Sequence, residues 1–189
     1  MMKKKIIFIF ILITLVTSFS YSLGKFVNIS ANIFLPSDSN FKEAYSSSVL
    51  MPSLKIGIIA HKNIYAWIGY QFFSKKGETI QLKEEIKYTQ YNTGIGLGYL
   101  RKINNKINMD LYTGLYYIAY KEVEINVDNP SKVRDSTIGF IFGVSMYYRL
   151  NKLLFLSSGV RYLLAKDTID TEQSNFGGIQ LNMGFGLRF

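Results

Sequence analysis

The sequence predicts an all-β fold, an eight-stranded antiparallel up-and-down transmembrane β-barrel preceded by a cleaved signal peptide. Three observations predict it: an apolar N-terminal segment, repeated alternation of apolar with small or polar residues, and connections that alternate between long and short. A chain of 189 residues with 48% apolar residues holds one domain of ordinary size. We therefore expect a signal peptide at residues 1–22 and a barrel domain at 23–189.

Residues 1–22 have the pattern of a secretory signal peptide. Three lysines at positions 3–5 precede a largely apolar run from Ile6 to Val16, and the small residues Ser20 and Ser22 follow it. This run of eleven residues is shorter than the roughly 20 that a membrane-spanning helix needs. We expect export and cleavage rather than an anchor helix.

The rest of the chain shows alternation with a period of two residues, which is typical of strands. In the first segment Val27 and Ile29 alternate with Asn28 and Ser30, and in the fourth Ile95 and Leu97 alternate with glycines. The final segment keeps the alternation to the last residue, Phe189. The predicted strands cover residues 26–35, 53–61, 63–73, 86–101, 107–120, 136–150, 153–165 and 175–189.

The connections between these strands alternate strictly in length. The short ones read HKN, KINNK and NK, and the long ones read PSDSNFKEAYSSSVL, SKKGETIQLKEE, KEVEINVDNPSKVRD and KDTIDTEQS. An up-and-down barrel of the outer membrane has this layout, with short periplasmic turns and longer external loops. The sequence therefore predicts four external loops, with both ends of the barrel domain on the periplasmic side.

Glycine and aromatic residues support the same arrangement. Most of the 15 glycines fall on the face that strand parity turns inward, where small residues relieve crowding inside a narrow eight-stranded barrel. The outward face is apolar and is flanked by aromatic residues, as expected for side chains at the two interfaces of a bilayer. These are Tyr99, Tyr148 and Phe189 near the periplasmic end and Tyr91, Tyr117 and Tyr162 near the outer end.

The last strand carries a further pattern, in which Phe185, Leu187 and Phe189 alternate toward a terminal aromatic residue. It resembles the C-terminal signal that the assembly machinery of bacterial outer membranes reads. Residues 23–189 as a whole resemble the small OmpA/OmpX-type outer-membrane barrel family. The resemblance implies a monomer in the outer membrane of a diderm envelope, with outer-membrane lipid, lipopolysaccharide and the assembly machinery as partners. It also implies a host or surface ligand at the external loops.

Charged residues of the predicted barrel interior suggest a cluster. Asp110 points inward by parity, and Arg149 and Arg188 are also inward and near their periplasmic ends. Because an unpaired buried charge is costly, we expect Asp110, Arg149 and Arg188 to form a polar plug rather than a gate or proton site. Trp67, Tyr112, Tyr116 and Tyr147 are expected to add bulk to this plug.

Composition argues against several classes of function. The chain has no cysteine, which excludes disulfides and thiolate metal sites, and its carboxylates lack calcium-loop spacing, so we expect no metal or cofactor. Its one histidine, His61, falls in a periplasmic turn, far from where lipid-modifying barrels hold a catalytic base, so we expect no enzyme. The net charge is +9, but the acids gather in the long loops and leave no single basic face for nucleic acid.

Three hypotheses about function follow from this pattern. The first is a structural or adhesin-like barrel that acts through its four long loops. The second is a narrow channel for small solutes, and the third is a lipid-modifying barrel enzyme.

Overall fold

The computed structural model describes residues 24–80, 83–125, 132–169 and 172–189. The predicted signal peptide, residues 1–22, lies outside these ranges. Within them the chain forms ten strands and one short helix. These are β1 (Lys25–Pro36), α1 (Ser39–Ala44), β2 (Val49–His61), β3 (Ile64–Glu78), β4 (Glu85–Lys102), β5 (Ile107–Glu124), β6 (Lys132–Arg149), β7 (Leu154–Leu164), β8 (Lys166–Ile169), β9 (Glu172–Asn175) and β10 (Gly178–Arg188).

Eight of these strands close into a barrel, in the order β1-β10-β7-β6-β5-β4-β3-β2. All neighbouring strands are antiparallel, and the seam between β1 and β10 runs from Phe26↔Arg188 to Pro36↔Gly178. The predicted eight-stranded up-and-down barrel is therefore confirmed. Strands β8 and β9 form a separate two-stranded hairpin in the connection between β7 and β10.

The two ends of the barrel differ, as predicted. At one end, which we call the short-turn end, residues 62–63, 103–106 and 150–153 join consecutive strands. Asparagine side chains hold two of these turns, since Asn104 Oδ1 accepts from the Ile107 amide at 2.8 Å and Asn151 Oδ1 accepts from the Leu154 amide at 2.7 Å. The opposite end, the long-loop end, carries α1, the β8–β9 hairpin and two shorter connections.

Strands β2, β3, β5 and β6 extend four or five residues further at the long-loop end than the sequence predicts, and β4 extends one residue further. β4, β5 and β6 have 18 residues each, whereas β7 and β10 have 11. About 9–11 residues cross a bilayer, so the excess length projects as a tall wall on one side of the barrel. The prediction ended these strands where the apolar alternation stops, but backbone pairing continues through charged residues such as Lys121 and Arg134.

Helix α1 is also absent from the prediction. Asp38 caps its first turn, with Oδ1 accepting from the Phe41 amide at 3.0 Å. The helix has only six residues, and Phe41 and Tyr45 on one side of it pack against the barrel. A single helical turn with two apolar residues leaves too weak a periodicity to distinguish from a polar loop.

The barrel wall separates apolar from polar side chains by strand parity. Outward side chains such as Ile68, Ile95 and Met183 are exposed, whereas inward ones such as Asn92 and Tyr116 are buried. The predicted interface aromatics all point outward and are exposed: Tyr91, Tyr99, Tyr117, Tyr148, Tyr162 and Phe189. The four bulky residues predicted for the interior, Trp67, Tyr112, Tyr116 and Tyr147, are all buried there.

Inward glycines make room for interior rings. An added Cβ at Gly57 would lie 2.2 Å from the Phe26 ring, and one at Gly143 would lie 2.2 Å from the Tyr112 ring. Real Cβ atoms do not approach so closely, so each ring occupies the space that the absent side chain leaves. The predicted role of glycine in a crowded interior is therefore confirmed at these positions.

We expect Gly57→Ala to lower the free energy of unfolding by about 1–3 kcal/mol, because overpacking forces the Phe26 ring from its place. Urea unfolding of the protein in detergent micelles, followed by fluorescence, measures this change. The same substitution in a Phe26→Leu background should cost less than in the parent. An equal cost in both backgrounds would contradict the proposed fit between glycine and ring.

Candidate functional site in the barrel interior and at the long-loop mouth

A fully buried carboxylate on β5 organises the part of the interior near the short-turn end. Asp110 accepts hydrogen bonds from the hydroxyls of Tyr65 and Tyr147, each at 2.6 Å. It also forms an ion pair with Lys55, whose Nζ lies 3.0 Å from Oδ2. Three donors thus replace the water that this carboxylate loses on burial.

Lys55 on β2 lies among aromatic rings. Its Nζ is 3.9 Å from the centroid of the Tyr112 ring and between 5.5 and 5.7 Å from those of Phe26, Tyr65 and Tyr147. A cation over a ring face is stabilised by the ring quadrupole, and more so where water is excluded. The ammonium group is therefore held by both a carboxylate and a cage of rings.

The predicted partners of Asp110 differ from those observed. Asp110 faces inward as predicted, but in the described part of the chain its cation is Lys55 and not Arg149 or Arg188. The two arginines line a small cavity at the short-turn mouth beside Phe155. Asp110 pairs with Ser145, whereas Arg149 lies beyond the last β5–β6 pair, Ile107↔Tyr148. Counting residues from each turn therefore misjudged the relative height of these side chains.

A polar layer fills the middle of the interior around a second buried cation. Arg161 on β7 donates from Nε to Gln180 Oε1 at 2.6 Å. When the Gln71 side-chain amide is oriented with its oxygen toward Arg161, that oxygen accepts hydrogen bonds from both Nη atoms, at 2.9 and 2.7 Å. The amides of Gln90 and Asn92 continue this network, with Gln90 Nε2 donating to Asn92 Oδ1 at 2.9 Å. Neutral amides, rather than a carboxylate, satisfy Arg161 in these contacts.

An aromatic cluster closes the interior toward the long-loop end. Phe34, Phe73, Tyr88 and Tyr120 are buried there together with Val49 and Met51. Helix α1 covers this cluster, since the Phe41 ring lies 5.2 Å and the Tyr45 ring 5.3 Å from the Tyr88 ring. We call α1 with Phe41 and Tyr45 the helical cap.

A hydrogen bond fixes the helical cap to the tall wall. The Tyr45 hydroxyl donates to the Glu122 carboxylate on β5. Burial, and the hydrogen bond to the Glu122 carboxylate, raise the pKa of Tyr45 well above its usual value. Tyr45 therefore stays protonated and remains a donor. Beside this contact lies an open cleft of about 820 Å³, lined by Phe41, Tyr45, Glu122, Val133 and Phe176 among others.

Lys55, Arg161 and the helical cap are the parts of this site that sequence reasoning missed. For the two cations a usable signal exists, because Lys55 and Arg161 both have inward parity in the middle of their strands, between apolar neighbours. In the described ranges no group of three or more His, Cys, Asp or Glu side chains is placed to hold a metal. No helix in those ranges is long and apolar enough to cross a bilayer.

Comparison with known proteins identifies the fold. No family model and no curated protein matches the sequence. Solved structures do match it, among them OprG from Pseudomonas aeruginosa, with a TM-score of 0.65 and 13% identity over 88% of this chain and 96% of that one. The fold is that of the small outer-membrane β-barrels.

Two further outer-membrane barrels show the same likeness. Neisserial surface protein A has a TM-score of 0.61 and 13% identity, and covers 89% of this chain and 98% of its own. The attachment invasion locus protein Ail of Yersinia pestis, solved with the heparin analogue sucrose octasulfate, has a TM-score of 0.53 and 10% identity. The match covers 88% of this chain and 97% of Ail. Each match covers nearly the whole of the known protein, so the likeness extends around the complete barrel wall.

Proposed function

We propose that this protein is a non-enzymatic outer-membrane β-barrel with a structural and surface-interaction role, exerted through its long-loop end. One observation carries the proposal: buried side chains occupy the interior from Phe26 near one mouth, through Asp110 and Arg161, to Tyr88 beneath the helical cap. An interior filled in this way leaves the loops and the cap as the part of the molecule available to other molecules.

The outward surface supports a location in the outer membrane. Apolar side chains face outward along all eight strands, with aromatic rings toward both ends of the barrel. The matched barrels come from bacterial outer membranes, and residues 1–22 provide the proposed export signal. We infer a monomer, because one chain closes the barrel and leaves no unpaired strand edge in lipid.

We also infer that Phe185, Leu187 and Phe189 are read by the assembly machinery. All three side chains face outward and are exposed beside β1, so a partner can contact them before the seam closes. Phe189→Ser should reduce the amount of folded protein in outer-membrane fractions. Ile103→Ser, which changes an exposed residue of a short turn, is the matched control.

Electrical recording separates the plugged barrel from the alternative of a narrow channel. In planar bilayers we expect no discrete conductance steps from the folded protein, because its interior side chains leave no continuous path. Its folded state is checked beforehand by electrophoresis with and without boiling, since a closed barrel migrates compactly until heated. Regular steps that change on Asp110→Asn would favour the channel and contradict the plug.

The surface-interaction role is tested on whole cells. A non-adherent bacterial strain that displays the protein should bind to cultured epithelial cells more than a strain carrying the empty vector. Replacing residues 37–48, which include the helical cap, by a short Asn-Gly turn should abolish the difference. Adherence that survives this replacement would place the contact elsewhere, and no adherence at all would leave only the structural role.

A further inference from the structure

The outward face of the tall wall carries five basic residues just beyond its apolar surface. They are Lys76 on β3, Lys87 on β4, Lys121 on β5, and Lys132 and Arg134 on β6, and we call them the basic belt. Four of the five are exposed, and Lys121 is half-buried. All five residues lie on the adjacent strands β3 to β6, so the belt covers one side of the barrel.

Strand register places like charges directly opposite each other in the basic belt. Lys76 pairs with Lys87, and Lys121 pairs with Arg134. Directly opposite side chains have Cβ atoms roughly 4.5–5.5 Å apart, and like charges at that distance destabilise a sheet. An anion bound between or beside such a pair would relieve this repulsion.

The acidic residues of the tall wall neutralise only part of the belt. Glu122 and Glu124 on β5 have inward parity and line the cleft, and Glu122 accepts from Tyr45. On the outward face, Glu78 and Glu85 lie opposite each other one step beyond Lys76 and Lys87. Outward positions on β5 and β6 near Lys121 and Arg134 hold no acid within the described residues. In this part of β5 and β6, therefore, the bases face outward and the acids inward.

The belt lies next to the predicted interface with lipid. On the outward face of β3, β4 and β5, the exposed rings of Tyr70, Phe72, Tyr91 and Tyr117 lie between the belt and the apolar middle of the barrel wall. Aromatic rings of this kind favour the level of lipid headgroups. Lys76, Lys87 and Lys121 each lie four residues beyond such a ring on their own strand, about 13 Å along it, and their long side chains can extend back toward the headgroup level.

We propose that the basic belt binds the phosphate groups of an anionic outer-leaflet glycolipid from the side of the barrel. The proposal rests on the outer-membrane location proposed above. It commits to a lipid rather than a soluble anion because the belt continues the lipid-facing surface and points sideways, away from the cleft. Arg134 can take a phosphate by two parallel hydrogen bonds, and the facing Lys121 adds a second positive charge.

The test compares thermal unfolding midpoints of the purified protein in zwitterionic detergent, with and without lipid A. Lipid A with both phosphates should raise the midpoint of the parent, and the same lipid with its phosphates removed should not. The double variant Lys121→Gln/Arg134→Gln should lose this rise. Without lipid it should unfold at the parent midpoint or above, because the repulsion between Lys121 and Arg134 is gone.

Two further variants distinguish position from overall charge. Arg101→Gln/Lys152→Gln removes the same number and types of charge at the short-turn end and should keep the full rise. Lys121→Arg/Arg134→Lys keeps the charges and should retain most of it. A rise with dephosphorylated lipid, or a rise that survives Lys121→Gln/Arg134→Gln, would overturn the proposal.

A soluble anion is the remaining alternative. Inorganic tripolyphosphate should raise the midpoint far less than lipid A, and an equal rise would place the partner in solution and overturn the assignment to lipid. Membrane fractionation of expressing cells reports separately on location. Absence of the protein from the outer membrane would contradict the proposed function. The lipid A measurement on folded protein tests lipid binding by the belt independently of location.

Discussion

Asp110→Asn should lower the free energy of unfolding by about 3–5 kcal/mol, the usual cost of breaking a buried charge pair. The substitution leaves the Lys55 ammonium in the interior without its carboxylate, and an amide replaces the group that accepts from two tyrosine hydroxyls. Urea unfolding in detergent micelles measures the loss. Trp67, the one tryptophan of the chain, is a suitable reporter because its ring lies 6.0 Å from the Tyr112 ring in the same cluster.

A double-mutant cycle isolates the ion pair. Lys55→Gln alone should also be destabilising, but Lys55→Gln/Asp110→Asn should cost clearly less than the sum of the two single changes. Additive costs would mean that Lys55 and Asp110 do not interact. A loss below about 1 kcal/mol for Asp110→Asn would mean that water reaches the carboxylate.

Ile95→Arg should cost about 2–4 kcal/mol, the penalty for a cation on the lipid face near the bilayer midplane. Ile95 is 63% exposed on the outward face of β4, and it lies halfway between the interface aromatics Tyr91 and Tyr99 of the same strand. Unfolding of the variant in lipid vesicles is the appropriate measurement, because detergent adapts more easily around a charge.

Ile103→Arg is the matched control for this substitution. Ile103 is similarly exposed, at 56%, but it lies in the short turn that follows β4. The same exchange of isoleucine for arginine should cost only about 0–1 kcal/mol there, since the charge reaches water. Equal losses at the two positions would refute the assignment of the outward face to lipid.

The barrel was predictable from sequence because alternation in a barrel wall is a local property. Whether a side chain such as Trp67 or Leu97 faces inward or outward follows from parity alone, and the turns at Asn104 and Asn151 contain residues suited to turns. The closing pair of strands then follows from the need to leave no free edge in lipid. None of these steps requires knowledge of how far one strand is displaced along its neighbour.

The contacts inside the barrel depend on that displacement and were predicted less well. Inward parity and nearness to turns predict Arg149 and Arg188 as partners of Asp110, but tilted strands bring Lys55 to it instead. The extension of β5 to Glu124 was missed because charged residues interrupt the apolar pattern while the backbone ladder continues. The predicted signal peptide and the assembly role of Phe185, Leu187 and Phe189 remain predictions.

The seam between β1 and β10 constrains the order of events during folding. Residues near position 26 must find residues near position 188, so this pairing has the largest separation in sequence of any in the wall. Hairpins such as β4–β5 close small loops and can form early, whereas the seam carries a large loop-closure entropy and is expected to form last. A sheet in which this seam has not yet formed has two unpaired edges, and such edges make it prone to misassociation.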